Sequence, residues 1–436
     1  MAPFTNEQSR ERGFLQTIDW KLIACYFLLV FIGWINIYAS IHSTEPESIL
    51  DWSCRSGKQA IWILSALVLD ILILLVINPR LWEVISTPAY LFVLALLVAV
   101  IFLGVEVKGS RSWFALGPVR FQPAEISKIT TAMLLAMIMS KPTYRITDRR
   151  SFLLTAVIIG LPMLVILGES ETGSALVYVG FIFVLYREGL SGWFLFFLGM
   201  AILLFILTLT THWWISAAIV LCVGAVFLFK RLRDMERDTK ANKLTTVRNT
   251  LLAVMAGMAL IVATDFIFDN VLQDHQRKRI EVLLGMKEDP SGVGYNVRQS
   301  MIAIGSGGMF GKGYLNGTQT TYGFVPEQST DFIFCTVGEE WGFAGCLLVI
   351  LLYAFMIYRI ISDAEECREG FSRIYGYCLA SCLFMHLFIN IGMTIGLMPV
   401  IGIPLPLLSY GGSSLWAFSV MIFIFVALYR QEKRYF

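Results

Sequence analysis

The chain is divided into apolar runs of membrane-crossing length, and that pattern limits its fold more than any motif does. A bilayer core takes roughly 17 to 25 predominantly apolar residues per helix. Inside it only helices or closed barrels can satisfy their own backbone polar groups. Runs of that kind lie near 21–41, 58–77, 87–104, 124–140, 152–168, 173–187, 192–210, 213–230, 249–268, 332–358, 374–396 and 412–429. The pair around 152–187 is split only by Gly168-Glu169-Ser170-Glu171-Thr172, and the pair around 192–230 only by Thr211-His212, so the expected count is ten to twelve. Composition agrees: 57% of the 436 residues are hydrophobic and 15% charged, with a mean hydropathy of +0.69, far above a soluble globular chain. The expected fold is an all-α polytopic membrane protein.

Charge sets the topology. With the N-terminus inside, the cytoplasmic loops receive Lys141, Arg145, Arg149 and Arg150, the seven-cation block from Lys230 to Arg248, then Arg359, Arg368 and Arg373, and the tail Arg430, Lys433 and Arg434. This is what the positive-inside rule asks, and it puts both termini in the cytoplasm. The other side receives a short loop at 42–57, the loop at 105–123 and one long extracytoplasmic segment at 269–331. That segment carries Arg277, Lys278, Arg279, Lys287, Arg298 and Lys312, but long segments are weakly governed by the rule. No repeat or separable soluble domain is evident, so residues 1–436 are expected to form one membrane domain.

Some functions are excluded. The net charge is +2, and the basic residues sit in short blocks between apolar runs rather than on one face, which argues against a nucleic-acid partner. Eight cysteines, Cys25, Cys54, Cys222, Cys335, Cys346, Cys367, Cys378 and Cys382, lie mostly inside apolar runs without the spacing of a disulfide framework or a zinc site. The first 20 residues are polar, with Arg10, Arg12 and Asp19, and no small-residue cleavage site follows a short apolar core. The first span is therefore expected to stay in the membrane.

Acids where the membrane should be are the most informative residues. In Pro326 to Gly345, reading PEQSTDFIFCTVGEEWGFAG, Asp331 stands at the threshold of an apolar run and Glu339 and Glu340 about two turns inside it. A carboxylate at membrane depth costs a few kcal/mol even on lenient scales, so such residues usually face a cavity or a partner. On one regular helix, Glu339 would fall roughly 80° around from Asp331 and Glu340 roughly opposite. Helix capping by Ser329, Thr330 and Asp331 is the plain alternative, weakened by Glu327 before them and the two glutamates after.

Three other stretches carry polar chemistry. In VEVKGSRSWFALGPVRFQPAEISKI, Arg111 and Trp113 lie in a loop, Pro123 suits a first helical turn, and Glu125 and Lys128 share one helix face. These residues either anchor the interface and pair within the helix, or hold an anionic headgroup. Glycines 305, 307, 308, 311 and 313 crowd around Lys312. They would let backbone approach a ligand and present N–H groups to phosphate, or they belong to an amphipathic segment lying on the membrane. The order is not that of a nucleotide P-loop, because Gly313 follows the lysine. Finally, Pro399, Pro404 and Pro406 with Gly402, Gly411 and Gly412 make 390–416 a broken, re-entrant-looking segment or a plain loop of tight turns. Re-entry is tolerated only where protein or a water-filled cavity covers it.

Taken together, RSWFALGPVRFQPAEISK, DPSGVGYNVRQSMIAIGSGGMFGKGYLNGTQ, FVPEQSTDFIFCTVGEEWGFAG and NIGMTIGLMPVIGIPLPLLSYGGSS resemble the signature blocks of the SEDS family (shape, elongation, division and sporulation), in family order and across most of the chain. The GTQ of Gly317 to Gln319 resembles the RodA-like, rod-shape branch more than the FtsW-like, division branch. The resemblance implies a peptidoglycan glycosyltransferase that polymerises lipid II at the outer face of the bacterial cytoplasmic (inner) membrane during elongation and shape maintenance. It also implies a class B penicillin-binding protein, a transpeptidase, as partner. The essential acid of the TDF block carries over to Asp331, and the Arg, Glu and Lys of the RxW and QPxExxK block carry over to Arg111, Glu125 and Lys128. This chain departs from the family in reading Glu169-Ser170-Glu171-Thr172-Gly173-Ser174-Ala175 where members often have QPDLGTA. It also has two extra expected spans, placed as an insertion within 192–268.

The implied reaction moves a glycan from an undecaprenyl-pyrophosphate leaving group to the 4-hydroxyl of an incoming lipid II. Pyrophosphate leaves without the protonation that makes glycosidases need two carboxylates. One base and a few cations suffice. The candidate base is Asp331, with Arg111, Glu125, Lys128, Lys312 and Glu327 as candidate substrate-binding residues and Glu339 and Glu340 as cavity supports. No cofactor is identified and no metal ligand cluster declares itself, although a divalent metal could share the pyrophosphate. A flippase or transporter for a lipid-linked precursor is the alternative, since it too would need intramembrane acids and broken helices. A third reading is a structural scaffold for a cross-linking enzyme.

Overall fold

The computed structural model describes residues 16–42, 48–107, 110–117, 119–235, 243–272, 274–284, 286 and 292–434. Arg10, Arg12, Lys287 and the 236–242 part of the basic block lie outside them. Among the described residues, ten helices are long and apolar enough to cross a membrane, and two shorter apolar helical stretches fall between them in sequence. The chain divides into two compact units, Met1–Gly189 with Tyr295–Phe436, and Leu190–Gly294.

The larger unit begins with α1 (Trp20–Ile41), α2 (Arg55–Leu75) and α3 (Arg80–Leu103). Asp19 caps α1, its carboxylate accepting from the Lys21 N–H at 2.9 Å. A three-stranded antiparallel sheet follows: β1 (Val105–Val107), β2 (Ser110–Leu116) and β3 (Val119–Phe121), in that order, with Val105 opposite Trp113 and Phe114 opposite Phe121. The all-α expectation lacks this sheet. Its strands are short, and the longest, SRSWFAL, runs three polar residues into four apolar ones without a period-two pattern, so nothing in it marks a strand. Then come α4 (Pro123–Met139), α5 (Arg149–Gly168), α6 (Thr172–Val177), a single 3-10 turn at Tyr178–Gly180 and α7 (Phe181–Arg187).

The smaller unit holds α8 (Gly192–Thr210), α9 (Trp213–Met235), α10 (Lys243–Asn270) and α11 (Asp274–Leu283), and so contains the whole 192–268 stretch. Within it α10 packs on α8 and α9. Gly224 faces Val254 and Gly257 faces Val220, so a Cβ on either glycine would stand 2.4 and 3.0 Å from the opposing valine. Small residues allow this close approach where lipid offers no hydrophobic drive to associate.

The larger unit resumes with α12 (Val293–Ser306), α13 (Thr318–Thr321), α14 (Ile333–Glu366), α15 (Gly370–Thr394) and α16 (Gly412–Arg434). α15 is the most buried of the long helices and packs against α4, α14 and α16, while α2 lies along α16 and α1 along α14. Polar links stitch these apolar faces together. The Tyr26 hydroxyl meets Ser419 at 2.6 Å and donates to Asp70 at 3.2 Å, joining α1, α2 and α16. The Trp416 indole donates to Ser65 at 2.9 Å.

α14 is not the single regular helix expected from the sequence. Gly342, with φ 66° and ψ −160°, interrupts it just after Glu339 and Glu340. The freed carbonyls of Glu339 and Glu340 accept from the Lys312 and Gly313 N–H groups at 3.0 Å each. The N–H groups of Phe343 and Ala344 donate to Gly308 and Met309. A Cβ on Gly342 would stand 2.3 Å from the Gly311 nitrogen, in a backbone region that is essentially glycine-only. Gly342→Ala is therefore expected to cost about 3 kcal/mol, read as a lower melting temperature of the purified protein in detergent.

Candidate active site

Helix connectivity brings the ends of nine segments of the larger unit to one side, the outer side by the charge pattern. The turn carrying Asp331 is built there. The Thr330 and Phe332 N–H groups both donate to the Glu327 carbonyl, and Thr330 Oγ1 donates to the Glu327 carboxylate at 3.1 Å. Asp331 is half-buried and immediately precedes α14, while Glu327 is exposed. Neighbouring elements hold the turn. Arg55, at the start of α2, donates to Ser329 Oγ at 2.7 Å, and Gln328 donates to the Ser40 carbonyl at the end of α1. The Ser329 carbonyl accepts from the Tyr410 N–H, and the Thr330 carbonyl from Ser409 Oγ at 2.6 Å.

The connection from α15 to α16 enters the protein instead of running over its surface. Ile403, Leu405, Leu407, Leu408 and Ser409 are all buried. Leu408 lies against Gly33, where an added Cβ would be 2.6 Å from the leucine Cα. Gly33 is about 12 Å below the end of α1 at Ile41, taking 1.5 Å per residue. The connection thus re-enters to membrane depth, covered by protein as physics requires. On its way it passes Asp331: a Cβ on Gly402 (φ 80°) would stand 3.3 Å from Asp331 Oδ2. Asn390 donates to both the Asp331 carbonyl at 2.8 Å and the Ile403 carbonyl at 2.7 Å.

Glu125 and Lys128 lie beneath this arrangement rather than on the surface. They are 3% and 1% exposed and paired at 2.8 Å. Lys128 also meets His386 Nε2 at 2.9 Å and stacks over Phe418 at 5.2 Å. His386 Nδ1 in turn stands 3.1 Å from the Pro404 carbonyl.

Lys312 and Glu339 form a separate cluster. The Glu339 carboxylate is fully buried and receives Lys312 Nζ at 2.6 Å and the N–H groups of Thr318, Gln319 and Thr320 at 2.8 Å each. It holds the GTQT turn in place. The N–H groups of Gly311, Lys312 and Gly313 are spent on Gly307, Glu339 and Glu340, so these glycines serve the docking onto the α14 break and are not turned to a phosphate. Glu340 is 1% exposed beside them. Arg111 lies on β2, 61% exposed and 3.6 Å from Glu106. Among the described residues no group of three His, Cys, Asp or Glu side chains is placed to hold a metal ion.

Sequence reading missed Arg55 and His386, and gave no role to Asn390 or to the α5–α6 connection, which it marked only as a departure from the family pattern. Glu171 accepts from Ser110 and Ser112 of β2 at 2.6 and 2.7 Å, and Gly173 packs on Ile401 and Ile403, so this connection braces both the sheet and the re-entrant segment. The four non-glycine residues with positive φ among the described residues, Ser170, Leu315, Glu327 and Leu407, all fall in these connections. Strain of this kind persists where surrounding structure over-determines the backbone, which is commonest at functional sites.

This geometry defines a class: a multi-pass membrane protein whose outer end is organised around a re-entrant segment and one half-buried aspartate. The chain matches the family described as cell cycle protein, FtsW, RodA and SpoVE, over residues 19–242 and 244–434, and it belongs to that family, the SEDS proteins. Peptidoglycan glycosyltransferase MrdB of Escherichia coli K12 is 33% identical over 362 residues, covering 82% of this chain and 81% of that one. Peptidoglycan glycosyltransferase RodA of Treponema pallidum is 31% identical over 425 residues, covering 93% and 96%. Among solved structures, a chain of a peptidoglycan synthase complex that coordinates polymerization and crosslinking matches with a TM-score of 0.67 at 24% identity, covering 95% of this chain and 98% of that one. Rod shape determining protein RodA of Thermus thermophilus matches with a TM-score of 0.59, also at 24% identity, covering 95% and 97%. These likenesses establish the shared fold.

The connection at 169–171 is expected to respond to pH. Glu169 is 3% exposed, and burial, aided by the neighbouring Glu171, raises its carboxyl to about 8. A raised folded value means the folded state holds the proton more tightly. The stability this confers is complete below about pH 4.5 and lost as pH rises through about 8. The stability of the wild type should fall across that window relative to Glu169→Gln by up to about 1.4 kcal/mol per pH unit, read as a falling melting temperature.

Proposed function

We propose that this protein is a peptidoglycan glycosyltransferase that polymerises lipid II at the outer face of the bacterial cytoplasmic membrane during elongation and shape maintenance. The observation that carries the reading is the Asp331 turn, clamped between α2, α15 and the re-entrant segment, in a chain aligned along most of its length with relatives of that name.

Asp331 is the general base. The 4-hydroxyl oxygen of the incoming lipid II attacks the anomeric carbon of the growing glycan, and its proton passes to the Asp331 carboxylate. The bond from that carbon to undecaprenyl pyrophosphate breaks, and the pyrophosphate leaves as an anion. Arg111 and Arg55 are exposed guanidiniums on the outer side and suit bidentate contact with phosphate. Glu125 and Lys128 act from within, because their charges are spent on each other below the surface. Lys312, 27% exposed, keeps its tie to Glu339 and reaches the substrate only by its rim. A class B penicillin-binding protein cross-links the product beside it, a reading supported by the likeness to a chain of a peptidoglycan synthase complex.

Asp331→Asn should lower polymerisation of lipid II by purified protein in detergent, with its partner present, by about 10²–10⁴-fold, the usual worth of a general base. Retained polymerisation would reject Asp331 as base. Absence of glycan from the wild type, together with lipid II translocation in proteoliposomes, would favour the flippase reading. A scaffold role would instead leave cell shape normal in Asp331→Asn whenever partner binding is kept.

A further inference from the structure

α15 carries two side chains four residues apart, His386 and Asn390, that reach consecutive carbonyls of the re-entrant segment, Pro404 and Ile403. Residues at that spacing share one helix face. Asn390 also holds the Asp331 carbonyl, so whatever moves the 403–404 backbone moves the candidate base. His386 is 1% exposed and boxed in by Lys128, Phe418 and Pro404.

Its proton can be assigned from its partners. An ammonium is all donor and has no acceptor to offer, so with Lys128 paired to Glu125 at 2.8 Å, His386 Nε2 must accept from it. The ring proton then sits on Nδ1 and is donated to the Pro404 carbonyl. Glu125, Lys128, His386 and Pro404 thus form a directed chain from a buried ion pair to the segment that abuts Asp331. The Pro404 carbonyl is at membrane depth, where an unsatisfied acceptor is costly.

We propose that His386 is a positioning residue for Asp331: locked by Lys128 as the Nδ1–H tautomer, it fixes the Pro404 carbonyl and with it the 401–409 segment that frames the aspartate. The kinetic half of this inference rests on the glycosyltransferase reading, and the structural half does not.

The test uses the full-length protein in detergent with three variants. Asn can present a donor to Pro404 where Nδ1 stands but cannot reach Lys128. Gln reaches Lys128 as an acceptor but leaves Pro404 bare, and Phe keeps the shape and bonds neither. Hydrogen exchange at Leu405, Leu407, Leu408 and Ser409 should rise about tenfold in His386→Phe and His386→Gln, while His386→Asn restores most of the protection. With lipid II and the partner present, kcat should fall about 10- to 100-fold in Phe and Gln with KM little changed, the cost of a slightly misplaced catalytic group.

Unchanged exchange in His386→Phe, equal behaviour of Asn and Gln, or a 15N spectrum placing the ring proton on Nε2 would overturn the proposal. So would altered exchange with unaltered kcat. If Phe does not fold, the contrast between Asn and Gln decides. If exchange moves as expected but the wild type makes no glycan, the glycosyltransferase reading fails and the structural half stands.

Discussion

A backbone that leaves regular structure at membrane depth must still satisfy its polar groups, because hydrocarbon offers no water to do it. The segment between α15 and α16 meets this requirement in two ways. Pro404 and Pro406 have no N–H to satisfy. That leaves carbonyls, and side chains from two helices reach them: Asn390 to Ile403, His386 to Pro404, and Tyr353 of α14 to Pro406. The Leu405 carbonyl takes the N–H groups of Leu408 and Ser409, and Ser409 Oγ accepts from the Leu405 N–H while donating to Thr330. Two of these side chains also tie the segment to the outer face, Asn390 through the Asp331 carbonyl and Ser409 through the Thr330 carbonyl. The Asp331 turn is thus held in part by the bonds that settle the loop.

The α14 break follows the same rule at a second place. A kinked helix frees carbonyls and N–H groups, and here a glycine-rich strip supplies the partners for both sides of the kink. Gly307 and Gly311 lie so near the Gly338 and Glu340 carbonyls that a Cβ on either would overlap them at 2.0 Å, which is why this strip is glycine. Lys312, carried on that strip, lands on Glu339 and adds a cation to a buried carboxylate that also accepts from the Thr318, Gln319 and Thr320 N–H groups. Glu339, an acid that looks expensive on a regular helix, is thus stabilised by docking of an outer segment.

How much of this was legible in the sequence depends on the range of the interaction. Spans and sidedness rest on run length and on basic blocks, both local, and a helix or helical stretch covers each run, although α3 begins seven residues before its run and α14 ends eight residues after it. Asp331 stands out in the sequence through its company of nearby acids, and the re-entrant segment was legible through its prolines and glycines. The sheet at 105–121 was missed because its strands are too short to stand out. The kink at Gly342 was missed because nothing local separates a glycine that breaks a helix from one that packs in it. His386 was invisible for a different reason. A lone histidine in an apolar run looks like filler, and the partners that give it meaning lie 18 and 258 residues away.

The Glu125–Lys128 pair shows why distant partners matter. Burying two charges costs several kcal/mol each, and a well-placed apolar pair would often be as stable or better. Stability is therefore a weak reason for the pair to exist. What an apolar pair cannot do is orient a histidine. A fixed ammonium dictates which ring nitrogen accepts, and hence which one donates to the re-entrant segment. Phe418 lies against both Lys128 and His386, closing the group to water and keeping the ammonium within reach of the ring. Coulombic attraction offsets part of the cost of the buried pair, and the pair imposes a direction on the bonds to the backbone that frames Asp331. Removing Lys128 alone would leave Glu125 buried and His386 free to turn, so its loss should disturb the outer face more than its depth would suggest.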